Sequence, residues 1–430
     1  MRGIRTRLSV MMFLQFFIWG AWYTMIGVYM AKVGMERLTF WPFTVNPLAA
    51  IVAPFFVGLV ADRFFATERV FGLLHLIGGV VLLAVPSTSN NPGLFIGLLL
   101  LYNLCYMPTL GLSSSLGFHH IPDQEKDFPK IRVWGTIGWI IAGLFIDYVL
   151  VHFANGLKAE ETALPIYAAA VASFLLAAFS LSLPHTPAPA RGQHVSARSI
   201  IGLDAFKQLG SKSFYVFIAS ALLICIPLAA YYNFTQLYLV GAKVQNITAT
   251  QSLGQMSEML FMLAMPLMFA RWGVKKMLMA GMAAWVLRYA LFAAAAPSAI
   301  YWMIALGILL HGICYDFFFV TGMIYVDKKS TPAIRGQAQG FFVFVTYGVG
   351  MLIGAYVAGN MVYNRFLGTA PALTLDQWRS FWILPSAFAL VILIFFALAF
   401  HDREAEVKPV AAGAGAGPTA RAEAATPAGR

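Results

Sequence analysis

Stretches of about twenty apolar residues recur along nearly the whole of this 430-residue chain, each long enough to cross a bilayer's hydrocarbon core as a helix. In lipid every backbone N–H and C=O must be satisfied within the protein, and a run of this length does so by winding into a helix. The runs are continuous rather than alternating, so the pattern is not that of a membrane β-barrel. Crossings are predicted at 9–31, 40–61, 70–86, 93–117, 129–151, 163–183, 213–240, 248–270, 274–294, 298–326, 334–363 and 380–400. The expected fold class is an all-α membrane protein of about twelve transmembrane helices. The first run follows a basic MRGIRTRLS, runs on too long for a signal peptide and meets no A-x-A-like cleavage site, so it is expected to stay in the mature protein.

Composition agrees: 60% of residues are hydrophobic and 11% charged, against roughly 25% charged in soluble domains. The formal charge of +11 does not signal nucleic-acid binding, because the basic residues flank the apolar runs on one side. Arg2, Arg5, Arg7, Arg63, Arg69, Lys126, Lys130, Arg191, Arg198, Lys207, Lys212, Arg271, Lys275, Lys276, Lys328, Lys329 and Arg335 fall in the N-terminal segment or in alternate loops. The opposite loops carry little: Lys32, Arg37, Lys158 and Lys243, with Arg365 and Arg379 before the last run. The positive-inside rule makes the first set cytoplasmic, and an even number of crossings puts both termini there, in a multi-pass protein of the bacterial inner membrane. Cys105, Cys225 and Cys314 lie inside predicted helices without CxxC spacing and read as small apolar residues, so neither disulfide nor metal is expected. The Asn246-Ile247-Thr248 sequon reads as chance. No phosphate loop, H-E-x-x-H or G-x-S-x-G occurs, so the chain is not expected to be an enzyme.

The texture changes between the sixth and seventh runs. LPHTPAPARGQHVSARSIIGLDAFKQLGSK is rich in Pro, Ser and basic residues and suits a cytoplasmic connector. The expected organisation is an N-terminal six-helix bundle (1–183), a linker (184–212), a C-terminal six-helix bundle (213–400) and a disordered cytoplasmic tail (401–430) of Ala, Gly and Pro. GLVADRFFATERV after the second run is echoed by FARWGVKKMLM after the eighth, which supports two pseudo-symmetric halves.

Two acids stand within the apolar runs, Glu258 and Asp316. An acid near the centre of a membrane helix costs on the order of 3 kcal/mol even on lenient scales, so such residues usually face a cavity, a partner or a transported ion. The alternative is a structural carboxylate neutralised by a neighbouring helix. Arg132, Thr136 and Trp139 fall at i, i+4 and i+7 and share a helical face, where a cation, a hydroxyl and an indole suit an oxygen-rich ligand with an aromatic ring. Gly135 and Gly138 would let another helix approach, although Arg132 could instead snorkel to the interface. Gln255 and Glu258, at i and i+3, pair an amide with an acid. His311 and Tyr315 are at i and i+4, and Asp316 is turned by about 100° from Tyr315 toward a neighbouring helix. Gln15, Trp19 and Tyr23 form a stripe on the first run; Tyr231, Tyr232, Asn233, Thr235 and Gln236 crowd the seventh after Pro227. Such aromatic stripes often face lipid or core, and the buried amides beside them favour a site.

The turn Gly58-x-x-x-Asp62-Arg63, with Arg69 beyond, resembles the loop signature of the major facilitator superfamily, although its usual Gly-Arg-Arg has become Phe64-Phe65-Ala66-Thr67-Glu68-Arg69. More widely, FLQFFIWGAWYTMIGVYM, YMPTLGLSSSLGF, DFPKIRVWGTIGW, LGQMSEMLF, AAWVLRYALF, HGICYDFFFVTG and TPAIRGQAQGFF resemble the bacterial nucleoside:proton symporters of that superfamily. The likeness covers all but the linker and tail. It implies alternating access of two bundles around a midplane site. It also implies that Arg132, Thr136, Gln255, Glu258 and Asp316 line the nucleoside site or carry the proton, and that Gly58, Asp62 and Arg63 tie cytoplasmic helix ends together. Trp139 and Tyr315 stand where the resemblance leads one to expect Phe, and His311 where it leads to Tyr. Leu228 and Tyr231 replace an expected amide pair on the seventh helix, with Asn233 and Gln236 close by. The choice of nucleoside is left open by that change.

The expected function is proton-coupled import of nucleosides, with a proton-coupled sugar or oligosaccharide symporter as the alternative. Arg132, Thr136, Trp139, Tyr231, Asn233, Gln236, Gln255, Glu258, His311 and Tyr315 are the candidate substrate residues. Glu258 is the first candidate for the proton and Asp316 the second, since burial and a nearby cation act on an acid in opposite senses and alternating contact with Arg132 would load and release it. No cofactor is expected beyond the coupling proton; the partners are nucleoside, proton and bilayer, with no nucleic acid, and the chain is expected to be a monomer.

Overall fold

The computed structural model describes residues 2–56, 65–122, 124–187, 209–331 and 334–401. Among these, nine helices are long and apolar enough to cross a membrane. One of them, Ile247–Ser298, has 52 residues, roughly twice the length of a crossing. It folds back at Gly273, whose φ of 67° is a left-handed conformation that glycine adopts without penalty. The basic turn FARWGVKKMLM read from the sequence is this fold-back, and it separates the eighth crossing from the ninth. The second crossing (Trp41–Phe56) and the sixth (Leu164–Ser180) are shorter apolar helices. The first runs as Arg2–Trp22 and Ile26–Lys32, the third as Thr67–Ala84, the fourth as Pro92–His120 and the fifth as Gln124–Tyr148. The seventh is Lys212–Gly241, the tenth lies within Tyr301–Lys329, the eleventh within Gln337–Leu367, and the twelfth is Leu375–Ala399. The result is the all-helical fold of about twelve crossings that the apolar runs predict.

Within the first half the first helix packs on the fifth, and the third packs on the fourth and sixth. In the second half the Ile247–Ala295 pair packs on the tenth and twelfth crossings, and the seventh on the eleventh and twelfth. Between the halves, the second crossing meets the eleventh and the fifth meets the eighth. These two contacts exchange under a twofold that maps each crossing onto the one six places on.

The two ends of the bundle differ. At one end Arg5 and Lys130 both reach Asp127, at 2.6 and 3.3 Å, Arg7 donates to the Ser182 carbonyl, and Lys275 Nζ donates to the carbonyls of Ala397 and Phe400. These bonds stay within each half. At the other end Lys32 pairs with Glu161 at 3.1 Å, and four hydrogen bonds cross between the halves. Thr248 Oγ1 donates to the Gly143 carbonyl (2.8 Å) and the Ala249 N–H to Asp147 Oδ2 (2.7 Å). Lys158 Nζ donates to the Val244 carbonyl (2.9 Å) and Asn364 Nδ2 to the Arg37 carbonyl (3.0 Å). A net hydrogen bond contributes about 1 kcal/mol, so among the described residues this end is stitched across the halves and the charged end is not.

Where the linker begins, Glu68 accepts from the Thr186 N–H and pairs with His185 Nδ1, both at 2.9 Å, fastening this strand of chain to the third crossing. Most of the expected linker and of the expected tail lies outside the described residues, as do Gly58, Asp62 and Arg63.

Candidate functional site

The first wall of the site follows from glycine. A Cβ on Gly138 would collide with the Phe13 carbonyl, and one on Gly20 would lie 3.1 Å from Trp139 Cα, so the first and fifth helices meet at backbone distance. That approach brings Phe16 under Arg132, whose guanidinium sits 4.0 Å from the ring centroid. Arg132 is therefore held by a cation–π contact on the inside of the bundle, and not out at the interface. Two turns on, Trp139 meets Trp19 edge to face at 5.5 Å, and Trp19 in turn contacts Tyr23 at 5.6 Å and Tyr347 at 6.2 Å.

The second wall is built the same way. Gly312 and Gly254 let the tenth crossing lie against the eighth: the Gly312 N–H donates to Ser257 Oγ at 3.0 Å, and a Cβ on Gly254 would touch His311. Gln255 and Glu258 face inward from the eighth crossing, and His311 and Tyr315 from the tenth. Just beyond Tyr315 the helix widens into a π-turn over Asp316–Val320, and the eleventh crossing has two more, Phe344–Gly350 and Val357–Tyr363. Such turns are frequent at functional sites because they re-aim side chains within a continuous helix.

Between the walls lies a cavity of about 250 Å³ that both halves line. Arg132, Thr136 and Trp139 stand on one side and Gln255, Glu258, His311 and Tyr315 on the other. No ion pair joins Arg132 to Glu258 among the described residues. Gln255 Oε1, His311 Nδ1 and Trp19 Nε1 are buried without a hydrogen-bond partner. Buried polar atoms are nearly always satisfied, so three open ones at one cavity mark where a ligand's polar edge would bind. The arrangement offers flat rings for stacking, an amide, a carboxylate and a guanidinium. Among the described residues no group of His, Cys, Asp and Glu is placed to hold a metal ion.

Four candidates lie off this wall. Tyr231 is fully buried beneath the Arg288 guanidinium, Gln236 donates its amide to Gln251, and Asn233 is buried with both amide atoms unpartnered. The seventh helix instead presents Cys225, Leu228 and Tyr232. Asp316 is wholly buried, and neither carboxylate oxygen has a hydrogen-bond partner. Gln15 is also off the wall: its amide bridges Thr109 Oγ1 and His75 Nε2, each at 2.7 Å, inside the N-terminal half. Tyr347 and Thr346, which line the cavity from the eleventh crossing, escaped the sequence reading. Their only signal is a Thr-Tyr pair interrupting the apolar FFVFVTYGVG.

Two helical halves with a polar cavity at their seam define a transporter of the major facilitator fold. The sequence matches the family model described as nucleoside H+ symporter over residues 2–405, and the chain belongs to that family of transporters, not to the enzymes. It is 36% identical over 408 residues to YegT of Escherichia coli (strain K12), to which nucleoside transport is ascribed, covering 94% of this chain and 95% of YegT. It is 30% identical over 428 residues to the nucleoside permease NupG of the same organism, covering 94% and 98% of the two chains. A crystal structure of a NupG variant superposes with a TM-score of 0.83 at 29% identity, covering 93% of this chain and all of that one.

Proposed function

We propose that this protein imports nucleosides together with protons across the bacterial inner membrane, by alternating access of its two six-helix halves, with both termini in the cytoplasm. The observation that carries this reading is the seam cavity, with Trp139, Trp19 and Tyr315 as stacking surfaces beside Gln255, Glu258 and Arg132. A nucleoside is a flat base joined to a hydroxyl-rich ribose, and this cavity holds a complement to each. The base stacks on Trp139 or Tyr315. The ribose hydroxyls meet Gln255, Glu258 and Arg132, and Thr136 adds a hydroxyl from the same helix face. Glu258 carries the proton: loaded while apart from Arg132, it gives the proton up on the other side when contact with the Arg132 guanidinium favours the carboxylate. Asp316, the next residue after Tyr315, is the alternative carrier of that proton.

The chain is divided near residues 184–212, with the basic turns facing the cytoplasm. The four cross-half bonds at the opposite end are the ones that must break for the cavity to open outward. Binding to purified protein of a panel of uridine, adenosine, free bases, nucleotides, ribose and disaccharides tests the reading. Nucleosides should bind, free bases weakly, and ribose, disaccharides and nucleotides not at all. A disaccharide that binds where no nucleoside does would establish a sugar symporter instead.

A further inference from the structure

Arg288, on the ninth crossing, is wholly buried and has no acidic partner among the described residues. An uncompensated charge in a membrane interior is costly, so its surroundings must supply the compensation. They do so in two ways, with Nη1 alone left without a hydrogen-bond partner. Nε donates to the Gly307 carbonyl at 2.9 Å and Nη2 to the Ile308 carbonyl at 3.4 Å. The guanidinium carbon lies 3.6 Å from the centroid of the Tyr231 ring.

Both contacts lead to His311. Gly307 and Ile308 belong to the last turn of the helix Tyr301–Leu309, which breaks at Leu310 before His311 opens the next segment. At this turn the Leu310 N–H points back to the Ile308 and Leu306 carbonyls, and the guanidinium adds positive charge and further donors to the Gly307 and Ile308 carbonyls. Tyr231, held under the cation, stacks on the His311 ring at 5.4 Å and 20°. One buried cation thus fixes the helix break from which His311 departs and the aromatic plate on which its ring rests. His311 is the only member of this group that lines the cavity, and its Nδ1 is open.

We propose that Arg288, which does not touch the cavity, is the positioning residue that sets the His311 imidazole into the cavity wall, so that ligand discrimination at this wall depends on it. The binding part of this inference rests on the nucleoside reading of the cavity; the geometric part does not. Two measurements on the full chain separate them. The first is ligand-free: diethyl pyrocarbonate labelling read residue by residue by mass spectrometry. R288K keeps a charge but loses the planar stack, and it should raise labelling of His311 severalfold while leaving His75 unchanged. Unchanged His311 labelling overturns the proposal whether or not any nucleoside binds. The second is a double-mutant cycle with uridine. H311A should weaken binding about tenfold and R288K severalfold, and R288K/H311A should be no weaker than H311A alone. Additive losses with unaltered melting temperatures would make Arg288 independent of His311 and overturn the proposal. R288M extends the series if it folds; R288K decides the matter if it does not.

Discussion

Tyr347 donates its hydroxyl to Asn46 Oδ1 across 2.6 Å, tying the cavity wall of the C-terminal half to the second crossing of the N-terminal half. The bond continues inward: Asn46 Nδ2 donates to Asn103 Oδ1 at 2.7 Å, and Asn103 Nδ2 to the Leu99 carbonyl at 2.7 Å. A ligand in the cavity therefore lies beside a ring whose hydroxyl holds the two halves together. Tyr347→Phe removes that bond and leaves the ring contact with Trp19. A loss of about 1 kcal/mol corresponds to a roughly fivefold shift toward the state in which the halves have parted here. Spin labels placed at Lys32 and Arg365 should show the longer distance more populated, and an unchanged distribution would exclude the latch.

Asp147 accepts from the Ala249 N–H in the first turn of the eighth crossing, where the helix presents unpaired donors. Asp147→Ala removes a cap worth about 1 kcal/mol and one of the cross-half bonds with it. With the natural cysteines replaced, a single Cys at Thr136 should react faster with a membrane-impermeant thiol reagent from the outside in this variant than in the parent. Equal rates would show that the Asp147 contact does not hold the outer end closed.

Glu258 is the acid on the cavity wall. Glu258→Gln retains the size and hydrogen bonding of the side chain but cannot change charge. Uphill uptake into proteoliposomes under an imposed pH gradient should vanish, with weakened binding retained. Accumulation above equilibrium by the variant would move the proton to Asp316.

Trp139→Ala and Gln255→Ala remove different parts of the ligand's surroundings. A stacked base contributes about 1–3 kcal/mol where such contacts have been measured, and a lost buried hydrogen-bond partner costs ~1–3 kcal/mol. Each variant should weaken nucleoside binding about tenfold or more. Trp139→Ala should affect free bases and nucleosides alike, and Gln255→Ala chiefly compounds that carry ribose. Calorimetry with both ligand types checks the separation.

Lys275 holds the carbonyls of Ala397 and Phe400, and Ser213 Oγ donates to the His401 carbonyl at 2.5 Å. These contacts fasten the end of the twelfth crossing as far as residue 401. Truncation after about residue 405 should leave the melting temperature and the transport rate close to those of the full chain. A loss of either would assign the tail a role.

The approximate number of crossings, their approximate ends where these are described, and the residues sharing one helical face were legible in the sequence. Arg132, Thr136 and Trp139 do face one cavity, as do Gln255 with Glu258 and His311 with Tyr315. These statements depend on run length and on a rotation of about 100° per residue, both local properties. The seventh helix shows where local rules stop. The sequence marked Tyr231, Asn233 and Gln236, whereas Leu228 and Tyr232 reach the cavity and Tyr231 backs His311. A soluble helix announces its buried face by polarity. A membrane helix is apolar toward lipid and toward its neighbours, so its rotation about its own axis leaves no mark in the pattern. The same reason hid Tyr347 and drew Gln15 into a buried network with His75 and Thr109. π-turns add to this, since the widened winding over Asp316–Val320 turns the residues that follow it away from the positions a regular helix assigns, while Asp316 itself lies off the wall as the regular rotation predicts. Tertiary packing, through glycine contacts such as Gly138 on Phe13 and Gly312 on Ser257, decided which faces meet and hence which polar groups form the site.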